Sequence, residues 1–425
     1  MRAVSIDKMK MSASYDDKNN QIDRWSKRFV LRWLENVSVG YLTVNDGEEV
    51  HYFGDANDSL AATITVTSSI AYRDILFNGL VGAGEAYMRG AWQSTDVVTV
   101  VRVLSANFNE IQSKNSVWSA VNQGITSLLH RFFRANTQEN SRLNIAAHYD
   151  LGNDFFGLFL DKSMMYSSAI YPTADATLET AATYKLEHIC QRLQLNENDH
   201  LLEIGTGWGG MAIYAATHYG CHVTTTTISK EQYEHAKKAV QDAKLDDKIT
   251  VLLDDYRDLK GQFDKLVSIE MIEAVGHKYY QQYFSACSRL LKPNGLMLIQ
   301  AITVPDQRYD LTKKGTDFIQ RYIFPGGELP SVTVMSKHVE KDTDMQIVGI
   351  DDITLDYAKT LAAWRERFFE KIDHVREQGF DDVFIRMWDF YFAYCEGGFR
   401  ERAISTVQLV MAKPRCQQLP YVVRS

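Results

Sequence analysis

Three glycines that alternate along the chain, Gly205, Gly207 and Gly209, mark the segment best suited to binding a small molecule. They lie in LLEIGTGWGG (201–210), where an apolar run ends and the helical segment MAIYAATHYG begins. Glycine lets the backbone turn tightly and approach a ligand at the amino end of the following helix. The pattern predicts a nucleotide-like ligand; a nicotinamide-binding domain and a strand-to-helix turn without a ligand are the alternatives.

The residues after the next two strand-like runs narrow the choice of ligand. The spacing is GxGxG, and no acid follows about 20 residues on to bind a nicotinamide ribose. Instead the second run ends in Thr227 and Ile228, followed by Gln232, whose amide can donate to or accept from ribose hydroxyls. Asp255 and Tyr256 follow the third run, where a carboxylate can accept from an adenine amine and a ring can cover the base. In this order the residues favour S-adenosyl-L-methionine and predict a methyltransferase.

Short β-rich runs alternate with helical segments from residue 198 onward. The runs are HLLEIG, VTTTTIS, ITVLLDD, DKLVSIE and GLMLIQAIT. Such alternation predicts βαβ units and a parallel sheet covered on both faces. We therefore expect an α/β fold, a Rossmann-like methyltransferase domain with a seven-stranded, mostly parallel sheet. A helical stretch at 357–395 is expected next, and then a last strand at 406–411 on the edge of the sheet.

Asn-Asp-Gly turn chemistry between β-branched and aromatic runs at 40–70 predicts hairpins in a smaller α+β domain. The apolar residues of 115–135 recur at three- and four-residue spacings, typical of an amphipathic helix. It is interpreted as a connector, with a membrane-surface helix as the alternative. The predicted division is an N-terminal accessory domain at 1–112, a helical linker at 113–142, and a catalytic domain with helical acyl-binding insertions at 143–415.

The composition is that of a globular protein, with 425 residues, of which 45% are hydrophobic and 24% charged. The first 28 residues are polar, and no later run reaches the roughly 18 apolar residues that a spanning helix needs. Five scattered cysteines form no metal-ligand pattern. A net charge of -8 argues against general affinity for nucleic acid. These features predict a cytoplasmic protein without a metal site.

The chain also carries a set of longer motifs at characteristic spacings. They are GEAYMRGAW (84–92), HYDLGNDFF (148–156), MMYSSAIY (164–171), LLEIGTGWGG, TISKEQ (227–232), DYRDL (255–259), SIEMIEAVGH (268–277) and YIFPGGELPS (322–331). By this set the chain resembles the cyclopropane fatty acid synthases, the group that includes the cyclopropane mycolic acid synthases, from Gly84 to Gln408. The residues expected to bind the cofactor are Tyr166, Ser167, Glu203, Gly205, Gly207, Gly209, Thr227, Ile228, Gln232, Asp255 and Tyr256.

The resemblance implies that the methyl acceptor is a cis double bond in an acyl chain, usually of a membrane phospholipid. Methylation leaves a carbocation, which the faces of aromatic side chains can stabilise. Ring closure then needs a base that is held in position. In similar enzymes this base is a bound bicarbonate held by five positions of the chain. These positions correspond here to Ser168, Glu273, Gln300, Ile302 and Tyr357, with Ser168 in place of cysteine and Gln300 in place of histidine.

A further departure from the family pattern is Glu270, which stands where glycine is common. It adds a carboxylate three residues before Glu273. Two hypotheses follow: Glu270 is itself the base, or it helps Glu273 to orient a bicarbonate that Gln300 still contacts. Some members of the family share both EMIEAVG and the glutamine, so these residues are compatible with activity. A strand-end glutamate without a role is the alternative.

The sequence thus predicts a lipid C-methyltransferase that cyclopropanates unsaturated phospholipid chains at the inner face of the membrane, to which it binds peripherally. Methylation without ring closure, giving a methyl-branched or otherwise methylated fatty acid, is the nearest alternative. A small-molecule N- or O-methyltransferase and a non-catalytic protein that binds lipid and cofactor are further alternatives. Dimerisation through the N-terminal domain stays open.

Overall fold

The computed structural model describes residues 21–107, 151–313, 315–417 and 419. These residues belong to two compact units, each built from more than one stretch of chain. The first unit comprises 1–130, 315–323 and 379–401, and the second comprises 131–314, 324–378 and 402–425. The predicted linker helix at 113–142 lies outside the described residues, as do the first three residues of HYDLGNDFF.

The first unit contains a four-stranded sheet in the order β2-β1-β3-β4. Its strands are β1 (Tyr41–Asp46), β2 (Glu49–Gly54), β3 (Ala61–Val66) and β4 (Trp92–Gln93). The predicted hairpin is confirmed for β1 and β2, which pair antiparallel across Gly47. β3 does not extend the hairpin but runs parallel to β1. The carboxylate of Asp58 accepts from the backbone N–H groups of Gly40 and Leu60, and so ties the return loop to the start of β1.

Helices pack against one another beside this sheet. They are α1 (Gln21–Leu34), α2 (Ile70–Met88), α3 (Val97–Ala106) and, from later in the chain, α10 (Phe318–Tyr322) and α14 (Asp382–Arg400). α14 packs on α2 and α3, and it comes close because Gly397 lies against Val101. The compact unit therefore differs from the predicted boundaries, since α14 falls within the 143–415 segment but groups with the N-terminal residues.

The second unit is built on a seven-stranded sheet in the order β10-β11-β9-β8-β5-β6-β7. Its strands are β5 (His200–Ile204), β6 (His222–Thr226), β7 (Ile249–Leu252), β8 (Phe263–Ile269), β9 (Leu291–Thr303), β10 (Gln346–Asp352) and β11 (Ser405–Ala412). The five strands from β9 to β7 in the sheet are parallel, and β11 runs antiparallel to its neighbours β9 and β10. The predicted α/β fold with a mostly parallel sheet is confirmed.

The last strand does not lie on the edge of the sheet, where the sequence predicted it. β11 lies between β9 and β10, so that β10 forms the edge. β10 was missed because its sequence, QIVGIDD, lacks an apolar run. Its side chains are all half-buried or exposed, as suits an edge strand. The helical stretch predicted at 357–395 is likewise divided, into α12 (Thr354–Glu370), α13 (Ile372–Glu377) and α14.

Helices cover both faces of this sheet, as βαβ connections require. The remaining helices are α4 (Asn153–Phe156), α5 (Leu178–Leu193), α6 (Gly210–Tyr219), α7 (Lys230–Asp242), α8 (Tyr280–Leu290), α9 (Tyr309–Thr312) and α11 (Val332–Asp342). α5, α6 and α7 pack on one face through a core that contains Leu201, and α8 and α11 pack on the other through a core that contains Leu202. Side chains alternate between faces along a strand, so neighbouring residues of β5 serve different cores.

No helix among the described residues combines the length and the apolar character that are needed to cross a membrane.

Candidate active site

The glycine turn connects β5 to α6, as predicted. Gly205, Gly207 and Gly209 have φ values of +97°, +52° and +93°, in the region that favours glycine. Gly205 N–H and Thr206 N–H both donate to the carbonyl of Thr226, at 3.0 and 3.1 Å, and so join the turn to the end of β6. A Cβ atom at Gly207 would meet no atom within 4 Å. The turn therefore leaves room for a ligand at the amino end of α6.

The loop that carries Tyr166, Ser167 and Ser168 packs against the start of α6. A Cβ atom on Gly210 would lie 2.5 Å from the carbonyl oxygen of Ser163, closer than real side chains come. The buried carboxylate of Asp161 orders this loop by accepting from Ser163 N–H at 2.8 Å. Glycine at 210 thus lets the loop approach the glycine turn.

Glu203, at the end of β5, is buried and accepts a hydrogen bond from the Thr225 hydroxyl at 2.6 Å. Burial raises the pKa of the Glu203 carboxyl to about 8, although this hydrogen bond opposes the shift. Thr227 and Gln232 lie at the end of β6 and the start of α7, where the Thr227 hydroxyl donates to the Gln232 Oε1 at 2.9 Å. This bond leaves the amide N–H groups of Gln232 for another acceptor.

The positions predicted for the adenine side differ in their surroundings. Ile228 is half-buried. Asp255 is buried and accepts from Arg257 three times, from the backbone N–H at 3.0 Å, Nε at 2.8 Å and Nη2 at 2.6 Å. The Tyr256 ring packs edge-on against Tyr283, with 5.6 Å between ring centroids. These three hydrogen bonds lie within the turn that carries Asp255 itself.

Three of the predicted catalytic residues, Ser168, Gln300 and Tyr357, converge on the carboxylate of a fourth, Glu270, which follows β8. Its Oε1 accepts from the backbone N–H of Ser168 at 2.9 Å and from Gln300 Nε2 at 2.7 Å. Its Oε2 accepts from the Tyr357 hydroxyl at 2.7 Å. The three donors come from the loop before α5, from β9 and from α12. Burial raises the pKa of Glu270, and these hydrogen bonds and the charge of Lys185 oppose the rise.

Glu273 lies one turn further on and is held differently. Its Oε1 accepts from the backbone N–H of Ile302 at 2.5 Å. Its Oε2 is buried and has no hydrogen-bond partner among the described residues. Burial, and then the neighbouring charge of Glu270, raise the pKa of Glu273 to about 8. Because Glu270 has three donors and Glu273 has one, a proton shared by this pair belongs on Glu273 at neutral pH.

Sequence reasoning missed a buried amine beside this pair. Lys185 of α5 is fully buried, and its Nζ donates to the Ser167 hydroxyl at 2.7 Å. Burial lowers the pKa of Lys185 to about 8, while the charges of Glu270 and Asp161 oppose the shift. The signal was present in the sequence, because Lys185 stands four residues from both Ala181 and Ile189 on the apolar face of the helix.

Aromatic rings surround Tyr166 on several sides. Its ring centroid lies 5.2 Å from that of Phe156, 5.3 Å from Trp364 and 5.9 Å from Phe324. Phe156 in turn contacts Trp208 of the glycine turn at 5.2 Å. The Met271 side chain lies against Gly205, which brings the segment of Glu270 and Glu273 beside the same turn. The cofactor residues and the buried carboxyls therefore share one apolar region at the carboxyl edge of the sheet.

The arrangement fits S-adenosylmethionine, because an open glycine turn, a carboxyl at the end of β5 and an amide after β6 supply the groups that its polar parts need. The donors that the resemblance assigned to bicarbonate are, by contrast, already used within the protein. Ser168 N–H, Gln300 and Tyr357, which the resemblance assigned to that anion, already donate to the carboxylate of Glu270. A second anion there would also face two carboxyl groups.

The seven-stranded sheet with this turn at the carboxyl end of its central strand defines an S-adenosylmethionine-dependent methyltransferase. The family model described as mycolic acid cyclopropane synthetase matches residues 136–409. The chain belongs to this family.

Curated relatives agree with the match. The tuberculostearic acid methyltransferase UfaA1 of Mycobacterium tuberculosis is 39% identical over 79% of this chain and 79% of its own length. The cyclopropane-fatty-acyl-phospholipid synthase of Escherichia coli is 36% identical over 84% of this chain and 89% of its own. Among solved structures, the cyclopropane synthase MmaA2 of M. tuberculosis has a TM-score of 0.60 at 30% identity, covering 64% of this chain and 98% of that chain.

The packing of the Ser163 loop on α6 can be tested with Gly210→Ala. The added methyl must displace the loop, and overpacking of this kind costs about 1–3 kcal/mol. We expect the dissociation constant for S-adenosylmethionine to rise about tenfold, measured by isothermal titration calorimetry. Gly315→Ala is the matched control, because its Cβ would meet no atom within 4 Å. Equal affinity of the two variants would contradict this account of the loop.

The buried proton of Glu273 predicts a dependence of stability on pH. The folded protein holds this proton up to about pH 8, whereas an exposed glutamate has an ordinary pKa of 4.5. Stability therefore falls as the pH rises between these values, by at most about 1.4 kcal/mol per pH unit from this group. Glu273→Gln cannot ionise and should gain free energy of unfolding relative to the wild type from pH 5 to pH 8. Urea denaturation measures this difference, and a difference that stays constant with pH would refute the assignment.

Proposed function

We propose that the protein transfers a methyl group from S-adenosylmethionine to the cis double bond of an unsaturated phospholipid acyl chain, and that Glu270 is the base that completes the reaction. The observation that carries the proposal is the Glu270 carboxylate itself, fixed by Ser168, Gln300 and Tyr357. A general base must be held in place with a free lone pair, and a carboxylate with three donors keeps one.

The cofactor would be held by the residues that the sequence singled out. The glycine turn of Gly205 to Gly209 offers room beside Gly207 at the amino end of α6, and Gln232 offers amide N–H groups. Glu203 stands at the end of β5, where a carboxyl can accept from polar hydrogens of the ligand. When bound, S-adenosylmethionine would supply an electrophilic methyl: its sulfur–methyl bond breaks with the electron pair kept by sulfur, and the π electrons of the alkene bond the methyl to one carbon and leave the positive charge on the next.

The surrounding side chains suit a cationic intermediate on the acyl chain. The rings of Phe156, Tyr166, Phe324 and Trp364 provide aromatic faces and keep water away from the charge. The ionised Glu270 adds a negative charge on the side of β8. An alkene is a weak nucleophile, so this stabilisation of positive charge is what the site must contribute.

Glu270 then removes a proton from the newly attached methyl group. The pair of electrons left by that C–H bond forms a bond to the cationic carbon, which closes a three-membered ring, and Glu270 ends protonated. Glu270 does here what the resemblance assigns to bicarbonate, using the same three donors. Glu273, which carries its own proton, does not compete for this role because its Oε2 has no hydrogen-bond donor among the described residues.

A methylene-branched acyl chain, methylated without ring closure, is the second candidate, favoured by the 39% identity to a tuberculostearic acid methyltransferase. A hydride can move from the methylated carbon to the cationic carbon before the proton is lost. Glu270 would then take a proton from the same methyl group and leave a methylene branch. In both outcomes one base removes one proton from the transferred methyl group. The second outcome differs from the first only in the preceding hydride shift.

The acyl chain is proposed to come from a membrane phospholipid, with the protein bound peripherally to the inner face of the membrane. Similarity to a cyclopropane-fatty-acyl-phospholipid synthase over 84% of the chain supports this substrate.

The proposed reaction is tested with purified protein, S-adenosylmethionine and vesicles of a phospholipid with monounsaturated acyl chains. We expect release of S-adenosylhomocysteine and a gain of one CH2 per modified chain by mass spectrometry. Catalytic hydrogenation of the product separates the candidates, because a methylene branch takes up hydrogen under conditions that leave the ring intact. Vesicles with only saturated chains are the control. Turnover of soluble amines without lipid, and none with vesicles, would exclude the proposal.

The role of Glu270 is tested with Glu270→Gln and Glu270→Gly. Loss of a general base costs about 10²–10⁴-fold, so Glu270→Gln should lose the native product to that extent. Glu270→Gly removes the side chain but leaves the three donors, and we expect added bicarbonate or formate to restore the product. Glycine also suits the φ of +49° at this position.

Glu273→Gln is the matched comparison for these variants, because it changes the other carboxyl of the same segment. It should retain more of the native product than Glu270→Gln. The wild type should be insensitive to removal of bicarbonate from the buffer. If the wild type requires bicarbonate, or if Glu273→Gln alone abolishes the product, Glu270 is not the base.

A further inference from the structure

A line of side-chain hydrogen bonds leads from Glu270 through the sheet to α5. Gln300 Nε2 donates to Glu270 Oε1 at 2.7 Å, and Gln408 Nε2 donates to Gln300 Oε1 at 2.9 Å. The line ends at His188, whose Nδ1 lies 3.0 Å from Gln408 Oε1. Four side chains are joined in this way, from the segment after β8, from β9, from β11 and from α5.

The register of the sheet explains why these side chains meet. Gln300 of β9 is directly opposite Gln408 of β11, which is directly opposite Asp351 of β10. Directly opposed residues of paired strands point to the same face of a sheet. Both glutamines have no accessible surface, and a buried amide without partners would be costly. Each is instead bonded at both its oxygen and its nitrogen.

The direction of donation along this line is fixed by its end at Glu270. The ionised carboxylate and the nearby carbonyl of Ser168, 3.3 Å from Gln300 Nε2, can only accept. Gln300 must therefore present its NH2 group to them and its oxygen to Gln408. Gln408 must then present its NH2 group to Gln300 and its oxygen to His188. It follows that His188 has to donate from Nδ1.

The surroundings of His188 are compatible with this single form. Burial lowers the pKa of His188, while Asp351 opposes and Arg192 reinforces the shift, so the ring is neutral at neutral pH. Asp351 and Arg192 form an ion pair at 2.8 Å, and the ring of Tyr184 stacks beside the imidazole. A neutral imidazole has one N–H, and the hydrogen bond to Gln408 places it on Nδ1.

We infer that His188 is a positioning residue for the base: its Nδ1–H orients Gln408 and Gln300 so that Gln300 holds the Glu270 carboxylate in the direction from which it takes the proton. This inference rests on the function proposed above. Without the donor at His188, the Gln408 amide loses the partner that prevents it from rotating. Gln300 could then turn its oxygen towards the carboxylate, which repels it, and Glu270 would lose one of its three donors.

A misdirected base changes what becomes of the carbocation, not whether the methyl is transferred. The competing fates are further hydride shifts, proton loss from a neighbouring chain carbon to give a methylated alkene, and capture by water. The partition among acyl products is therefore the sensitive readout, and release of S-adenosylhomocysteine reports methyl transfer separately.

The test compares His188→Leu with His188→Asn, because asparagine Nδ2 occupies nearly the place of histidine Nδ1 and can donate. In His188→Leu we expect the share of acyl products other than the major one to rise about fivefold, the factor that loss of one hydrogen bond corresponds to. S-adenosylhomocysteine release should stay within about twofold, since the hydrogen-bond line does not reach the cofactor residues. His188→Asn should give the distribution of the wild type.

His200→Leu is the matched control, since His200 is partly buried, makes a single side-chain hydrogen bond, to Thr224 at 2.9 Å, and lies at the opposite end of β5 from the glycine turn. It should leave the product distribution unchanged. A wild-type distribution in His188→Leu overturns the inference, and so does an equal change in the leucine and asparagine variants.

A second measurement needs no substrate and separates this inference from the proposed function. The ¹⁵N shifts of labelled histidine report which ring nitrogen carries the proton. We expect the Nδ1–H form for His188 in the wild type and a shift towards Nε2–H in Gln408→Leu, where the acceptor is gone. An Nε2–H ring in the wild type overturns the inference. Absence of any S-adenosylhomocysteine release by the wild type would instead refute the proposed function and leave the tautomer result standing.

Discussion

The carboxylate of Glu270 is the group on which the rest of the site depends, because it joins three elements that are otherwise separate. The loop before α5 reaches it through Ser168 N–H, β9 through Gln300 and α12 through Tyr357. A buried carboxylate is costly unless hydrogen-bonded, and each of these donors would be costly to bury without it. The charge and its donors therefore require one another, and this fixes the loop, the strand and the helix around the region where a methyl group is transferred.

The backbone at Glu270 is strained by the same arrangement. Its φ of +49° lies where glycine is favoured, and a side chain there costs about 1–3 kcal/mol. The backbone N–H of Glu270 still donates to the carbonyl of Gln300 at 2.8 Å, so the strand pairing continues into the strained residue. The three hydrogen bonds to the carboxylate offset the strain. A residue held in this way has little freedom to move, which suits a base that must be aligned before the carbocation forms.

Much of the fold followed from local pattern, whereas the central contacts of the site did not. The alternation of strands and helices and the glycine turn are local features, and both were predicted correctly. The interior position of β11 was missed because strand order depends on packing across the whole sheet, and edge strand β10 was missed because its sequence lacks an apolar run. The family motifs identified Ser168, Gln300 and Tyr357 as a set of donors. That Glu270 itself accepts from them depends on tertiary contacts between residues about 30 to 100 positions apart, which no spacing reveals.

The surroundings of the two carboxyl groups favour the negative charge on Glu270 and the proton on Glu273. The buried ammonium of Lys185 lies near Glu270 and favours its charged form. A further anion on Glu273 would be opposed by both burial and the charge of Glu270. Glu273 therefore keeps its proton, and its bond to Ile302 N–H serves to hold the end of β9. Two carboxyl groups three residues apart thus differ in their preferred charge because their surroundings differ, and the proposed role of base falls to Glu270, which has three donors and a neighbouring cation.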